Sequence, residues 1–314
     1  MLQLLGGLVY KRACSREVES DVKTESRDKL LAYLTLSIGL IAIGFSAIFV
    51  RQAGVPGTVA SFYRMAIPTT ILAAPAIKRL RERKRSGPPL RWAVLGGFVF
   101  ALDLSFWASG VVISGATIPT LLANTAPVWV GLGALLFFRE ELPRKFWFGL
   151  AIALLGTALV LGLESLRSMS LDLGALLGLL AGIFYAAYFL ITQLGRKSLD
   201  VLSYFWVSGV SATVALFIFN LLLSQPMWGF TSKTYFNLLA LGLISQGVGL
   251  LAITYVQGLL PATIVSATLL GQPVVTALLA GPLLGEKLQP AQIVGGAAVL
   301  LGVYVVHRSR AGDR

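Results

Sequence analysis

An all-α integral membrane fold, ten transmembrane helices arranged as an inverted 5+5 repeat, is the architecture this sequence predicts. Three observations carry it: an excess of apolar residues, their division into spans of bilayer length, and a duplication within the chain. Of the 314 residues, 56% are hydrophobic and only 13% charged, against about 25% charged in an ordinary soluble protein. The mean hydropathy is +0.80. A water-soluble core of this length has no room for so much apolar surface.

The second observation gives the elements. About twenty apolar residues cross a bilayer, and only a helix can satisfy its own backbone groups there. Ten such spans can be marked, at 31–50, 58–77, 90–110, 116–138, 146–163, 173–194, 201–223, 235–257, 262–283 and 289–307. Connections are short, so consecutive helices are antiparallel neighbours. The organisation expected is a disordered cytoplasmic tail (1–29), a first five-helix repeat (30–165), a second (166–308) and a short cytoplasmic tail (309–314). The first tail carries mixed charge and too little apolar sequence to fold alone, and its Cys14 reads as an inert thiol.

Basic residues set the orientation. With the amino terminus in the cytoplasm, 21 of the 26 Lys and Arg fall on the cytoplasmic side and four on the other, with Arg64 inside the second span. That asymmetry places both termini in the cytoplasm of a cell (inner) membrane. The net charge of +12 is thereby a topology signal, and the run from Lys78 to Arg91 a lipid-headgroup loop, not a nucleic-acid surface. Membrane lipids and a small molecule are the partners expected, for a monomer or homodimer.

The third observation is the repeat. At an offset of 146, the segment from Ala116 aligns without gaps to the segment from Ala262, with about fifteen of forty-five positions identical. Pro127 matches Pro273, Glu140 matches Glu286, Gly149 matches Gly295 and Gly156 matches Gly302. Five helices separate the copies, an odd number, so the second copy is upside down. Such a repeat supports alternating access by rocking one half against the other.

The stretches NTAPVWVGLGALLFFREEL and LLGQPVVTALLAGPLLGEKL each set a mid-helix proline thirteen residues before a glutamate and then a glycine-rich helix. Together with SFYRM in helix two, they resemble the EamA repeat of the drug/metabolite transporter superfamily, from about residue 31 to the end of the chain. The resemblance implies a ten-helix exporter or exchanger with a cavity between its halves. The expected activity is secondary transport of a small polar metabolite, an amino acid or related solute. An exchanger of phosphorylated or nucleotide-type substrates, or a multidrug exporter, is the alternative.

Candidate site residues are those whose polarity is costly in a membrane. Arg64 and Asp103 are the two charges well inside spans, each costing about 3 kcal/mol if it faced lipid. Both lie roughly 10 Å below the outer surface at 1.5 Å per residue, which makes a direct ion pair the expectation. That pair is either a structural clamp or a site that opens to bind charged groups. Trp107, Asn124, Thr125, Tyr185, Tyr188, Trp206, Gln246, Gln257 and Gln272 form a second, polar and aromatic group. Asn124 and Gln272 stand just before the paired prolines, which free the carbonyls near Ala123 and Leu269. Tyr185 and Tyr188, three apart, form either a packing stripe or a substrate platform. The series Gly149, Ala153, Gly156 and Gly295, Gly302 predicts close helix packing, either between helices five and ten, the preferred reading, or at a dimer seam, and Glu140 and Glu286 are read as caps of the following helices. A single cysteine and a single histidine, His307, supply neither a metal cluster nor a catalytic constellation, so neither enzyme chemistry, a metal nor a cofactor is expected.

Overall fold

The structure is a computed structural model, described over residues 29–82, 90–115, 117–162, 172–285 and 287–311. Cys14, Glu286, most of the basic loop before Arg91 and the ends of both tails lie outside the described residues. Among the described residues all regular structure is helical, and nine helices are long and apolar enough to cross a membrane.

Helix α1 (Lys29–Ala53) ends on Gly54, whose left-handed backbone (φ 62°) lets its N–H close on the Val50 carbonyl. The second expected span is two consecutive shorter helices, α2 (Gly57–Ile71) and α3 (Ala73–Glu82), parted at Leu72. Pro75 explains the break: it offers no N–H to the Ile71 carbonyl and crowds it. Pro68 does the same to the carbonyl of Arg64 one turn earlier.

Helix α4 (Arg91–Ser114) is followed by α5 (Thr117–Ala123) and α6 (Ala126–Phe137), which together make one interrupted span. Next come α7 (Arg144–Leu161), α8 (Leu173–Arg196), α9 (Val201–Leu222) and α10 (Ser232–Val256). Carboxylates start two of them. Asp172 accepts from the Ala175 N–H at 2.9 Å, and Asp200 accepts from Leu202 and Ser203, both at 3.1 Å. A second interrupted span follows, α11 (Ala262–Thr268), a tight turn at Leu269–Gly271 and α12 (Gln272–Leu284), and then α13 (Pro290–Ala311).

The two interruptions fall at matching places. Helix α6 resumes at Ala126 and α12 at Gln272, 146 residues apart, each with its proline in the first turn. A proline there costs no helical bond of its own turn, so the break sits upstream of it.

Helix α4 packs along α8 and α9, α8 also meets α5 and α6, and α7 pairs with α13. The last pairing is through glycine. Gly149 meets the Gly302 carbonyl and Gly156 the Gly295 carbonyl, at distances that leave no space for a side chain. The predicted contact between helices five and ten is therefore present, and within one chain. Large apolar side chains such as Val112, Leu136, Phe137 and Leu222 are about three-quarters exposed on the outside of the bundle, as a lipid-facing surface requires.

Two ends can be told apart. At the basic end, Arg310 of α13 pairs with Glu140 at 2.6 Å, Thr263 of α11 donates to Glu140 at 3.3 Å, and the Ala262 N–H donates to Gln193 of α8 at 2.6 Å. Just inside it, Ile43, Val130, Phe189, Val256 and Val265 close into one apolar core. At the other end, Thr234 donates to the Ala53 carbonyl and Asn220 to that of Thr58.

Glu140 thus departs from its expected role. Pro143, not Glu140, occupies the cap position of α7, and no side chain caps that helix. A carboxylate in reach of a guanidinium gains more from a charge-assisted bond than from a helix dipole.

Candidate functional site

The site is built where α2, α4, α8 and α10 come together. Helix α2 brings Arg64 and Met65, α4 brings Phe100 and Asp103, α8 brings Tyr185 and Tyr188, and α10 brings Gln246. The middle of α10, Leu241–Leu250, is a ten-residue π-helical stretch. Such widened turns are rare and concentrate at functional positions. Gln246 sits within it, fully buried.

The expected ion pair is not made. Arg64 Nε donates instead to Gln246 Oε1 at 3.0 Å. The Gln246 amide in turn approaches Met65 Sδ at 2.7 Å. Among the described residues Asp103 has no hydrogen bond and no ion-pair partner within 4.0 Å, although only 6% of it is exposed. It remains an electrostatic neighbour of Arg64 and Tyr185. Equal depth brought the two charges close enough to interact, but the Arg64 side chain is directed to Gln246.

The aromatic wall is continuous. Phe100 stacks on Tyr188 with ring centroids 4.5 Å apart and on Tyr185 at 6.2 Å, and Tyr185 meets Phe189 at 4.7 Å. Tyr188 is buried, whereas Tyr185 keeps partial exposure beside Arg64 and Asp103. Tyr185 and Tyr188 thus form one packing stripe with Phe100 and Phe189, and the exposed part of Tyr185 faces Arg64 and Asp103.

A second polar group lies one turn further along α4 and α8. Trp107, four residues after Asp103, donates its indole N–H to Thr120 Oγ1 at 3.0 Å, and Asn124 donates to the Thr120 carbonyl at 2.8 Å. The interruption between α5 and α6 lies against Gly182 of α8, three residues before Tyr185, so closely that a side chain at Gly182 would strike the carbonyls of Leu122 and Ala123. The proline-freed Ala123 carbonyl is thus turned toward α8.

Gln272 behaves differently. It opens α12, beside Gly271 that touches Leu40 of α1, and makes no hydrogen bond to Arg64 or Asp103. Trp206 and Gln257 hold carbonyls, of Thr69 and Phe189 respectively. Sequence reasoning missed Phe100, Met65 and Thr120. Phe100 had a readable signal, since three residues before Asp103 places it on the same helix face. Met65 and Thr120 had none. Among the described residues no group of His, Cys, Asp and Glu could hold a metal ion.

With this geometry in view, the comparisons with known proteins assign a class. The profile of the EamA-like transporter family matches residues 30–162 and again 172–308, and the chain belongs to that family. It is a multi-pass membrane protein. An uncharacterized transporter, YdfC, of Bacillus subtilis is 23% identical over 86% of this chain and 88% of its own. An uncharacterized transporter of Archaeoglobus fulgidus is 26% identical over 88% of this chain and 98% of its own. The pseudopaline exporter CntI of Pseudomonas aeruginosa is 26% identical over 83% and 89%. A solved crystal structure, 17% identical, superposes with a TM-score of 0.74 over 89% of this chain and 98% of that one, and so shares its fold.

Proposed function

We propose that the chain is a secondary transporter that exports or exchanges a small polar metabolite by alternating access, with its substrate held between Arg64 and Asp103. The observation that carries this reading is the disposition of those two charges. Arg64 is anchored through Nε, and Asp103 has no partner among the described residues, while Tyr185 stands beside both. A solute bearing a carboxylate and an ammonium, such as an amino acid, satisfies both groups. Tyr188, Trp107 and Asn124 extend the lining. Gln246 holds Arg64, and Gln272, at the start of α12, makes no hydrogen bond to Arg64 or Asp103. A phosphorylated substrate would ask for several basic groups, and Arg64 is the one basic residue of this cluster.

Three features support a ten-span inverted repeat as the engine. The family profile matches twice. The interruptions before Ala126 and Gln272 coincide at the 146-residue offset. The contacts Gly149 to Gly302 and Gly156 to Gly295 are reciprocal under the same offset, as a twofold relation between α7 and α13 would require. On this reading α2 and α3 jointly make the tenth crossing, the basic end is cytoplasmic and the membrane is the inner one. A relative named as an exporter supports outward flux.

The test is counterflow in proteoliposomes loaded with a panel of amino acids, nucleosides and sugar phosphates. Saturable exchange of amino acids, with an apparent KM raised about tenfold or more in Asp103→Asn, is the expected result. Exchange of sugar phosphates alone would overturn the substrate class.

A further inference from the structure

We propose that Gln246 is a positioning residue that holds Arg64 away from Asp103, so that the site presents two separate opposite charges to a ligand instead of an internal ion pair. This rests on the transporter reading for its purpose but not for its test.

An arginine and an aspartate at one level of a bundle, out of water, attract each other strongly. Left alone, a long guanidinium side chain would swing to the carboxylate. The structure shows the opposite arrangement, with Arg64 Nε on Gln246 Oε1 at 3.0 Å and Asp103 without a hydrogen bond among the described residues. Gln246 can hold it because it is itself fixed. Its amide rests on Met65 Sδ at 2.7 Å, it is fully buried, and it projects from the π-helical stretch of α10. Met65 and Arg64 are sequence neighbours, so the glutamine straddles adjacent residues of α2 and fixes the height and direction of the guanidinium together. A neutral acceptor does this without cancelling the positive charge. The arrangement therefore suits a zwitterion and disfavours ligands with one charge, which would leave the other site group unmatched.

Hydrophobic carbodiimide, followed by mass spectrometry of the Asp103 peptide in native membranes, reads the pairing directly. The reagent attacks a protonated carboxyl, and a paired guanidinium favours the charged form. Without a ligand the unpaired carboxyl takes up a proton part of the time, so wild type should label at Asp103, while the charged form is the one presented to a ligand. Gln246→Met, similar in length and apolar, should reduce labelling by about tenfold or more as Arg64 moves across, and Gln246→Met with Arg64→Met should restore it. Labelling of Gln246→Met equal to wild type would overturn the proposal. If Gln246→Met does not accumulate, Gln246→Glu serves, since it draws Arg64 toward position 246 and should keep Asp103 reactive; loss of labelling there would also overturn it. Neither readout requires flux. Failure of counterflow with these labelling results intact would remove the transport reading and leave the role of Gln246 standing.

Discussion

Gly149 and Gly302 lie backbone to backbone across α7 and α13: a Cβ on the first would come within 2.8 Å of the other's carbonyl oxygen, and one on the second within 2.5 Å. Gly156 and Gly295 repeat the contact at 2.6 and 2.7 Å. As the number rises along one helix it falls along the other, so the two helices are antiparallel and interlock at two points about two turns apart. Replacing Gly302 by Leu forces the backbones apart. We expect a loss of about 1–3 kcal/mol, read as a lowered midpoint of thermal unfolding in detergent. Gly285→Ala, outside the contact, should not separate α7 from α13, and a disulfide between cysteines flanking the seam would still form in that variant. An unchanged midpoint in Gly302→Leu would show that the seam is looser than described.

Asp103→Asn keeps the shape of the site and removes its negative charge. Because Arg64 is held by Gln246 and not by Asp103, the substitution strands no guanidinium, and the protein should fold with undiminished thermal stability. The apparent KM for a zwitterionic substrate should rise about tenfold or more. A large fall in unfolding midpoint would mean that Asp103 is a structural counter-ion after all.

At the basic end, Glu140 and Arg310 pair at 2.6 Å with side chains 14% and 18% exposed. This lies between a surface pair and a fully buried one, so Glu140→Gln should cost about 1–3 kcal/mol. Reversing both charges, Glu140→Arg with Arg310→Glu, should recover part of that loss. Equal stability for Glu140→Gln, the reversed pair and the wild type would demote the contact to a surface accident.

Asp200 gives the pH dependence. Burial pushes its carboxyl up, but hydrogen bonds from Ser203 and Leu202 and the nearby Arg79 outweigh it and hold the group below the usual carboxylate range. A lowered folded-state value means stability that is present above the unfolded value of about 4 and is lost as pH falls through the folded one. Asp200→Ala should therefore cost about 1 kcal/mol at neutral pH, and the difference from wild type should shrink on acidification below about pH 4. Unfolding midpoints for both proteins across that range provide the check, and a pH-independent difference would contradict it.

Orientation can be read with cysteines at Lys233 and Arg308, which stand at opposite ends of the bundle. A membrane-impermeant maleimide added to whole cells should modify the first and spare the second. The reverse pattern would invert the proposed topology.

Much of this structure was legible in the residues, and the exceptions have physical causes. The freed carbonyls near Ala123 and Leu269 followed from two prolines, because a missing N–H is a local fact, although the helix breaks that accompany them did not. The seam of α7 and α13 followed from glycine spacing for the same reason. The split at Leu72 was equally local, caused by Pro75, yet it hides inside an apolar run that hydropathy alone reads as one span. The Arg64 contact was another matter. Depth along a helix can be counted from its end, but azimuth depends on every turn between, and the wide turns of Leu241–Leu250 have no compositional mark. Nor could the Glu140 contact be foreseen, since Arg310 lies 170 residues away and only the fold brings it near.

The wide turns of α10 also set a phase. Each residue of an ordinary helix advances the chain by about 100°, so adding or removing a single residue anywhere in Leu241–Leu250 would swing everything beyond it around the helix axis by roughly that angle. Thr254, whose carbonyl receives Arg196, and Gln257, which donates to the Phe189 carbonyl, would then point to other neighbours while Gln246 stayed near α2. One half of α10 is thereby clocked to Arg64 and the other half to the end of α8, and the length of this stretch is as tightly specified as Gln246 itself.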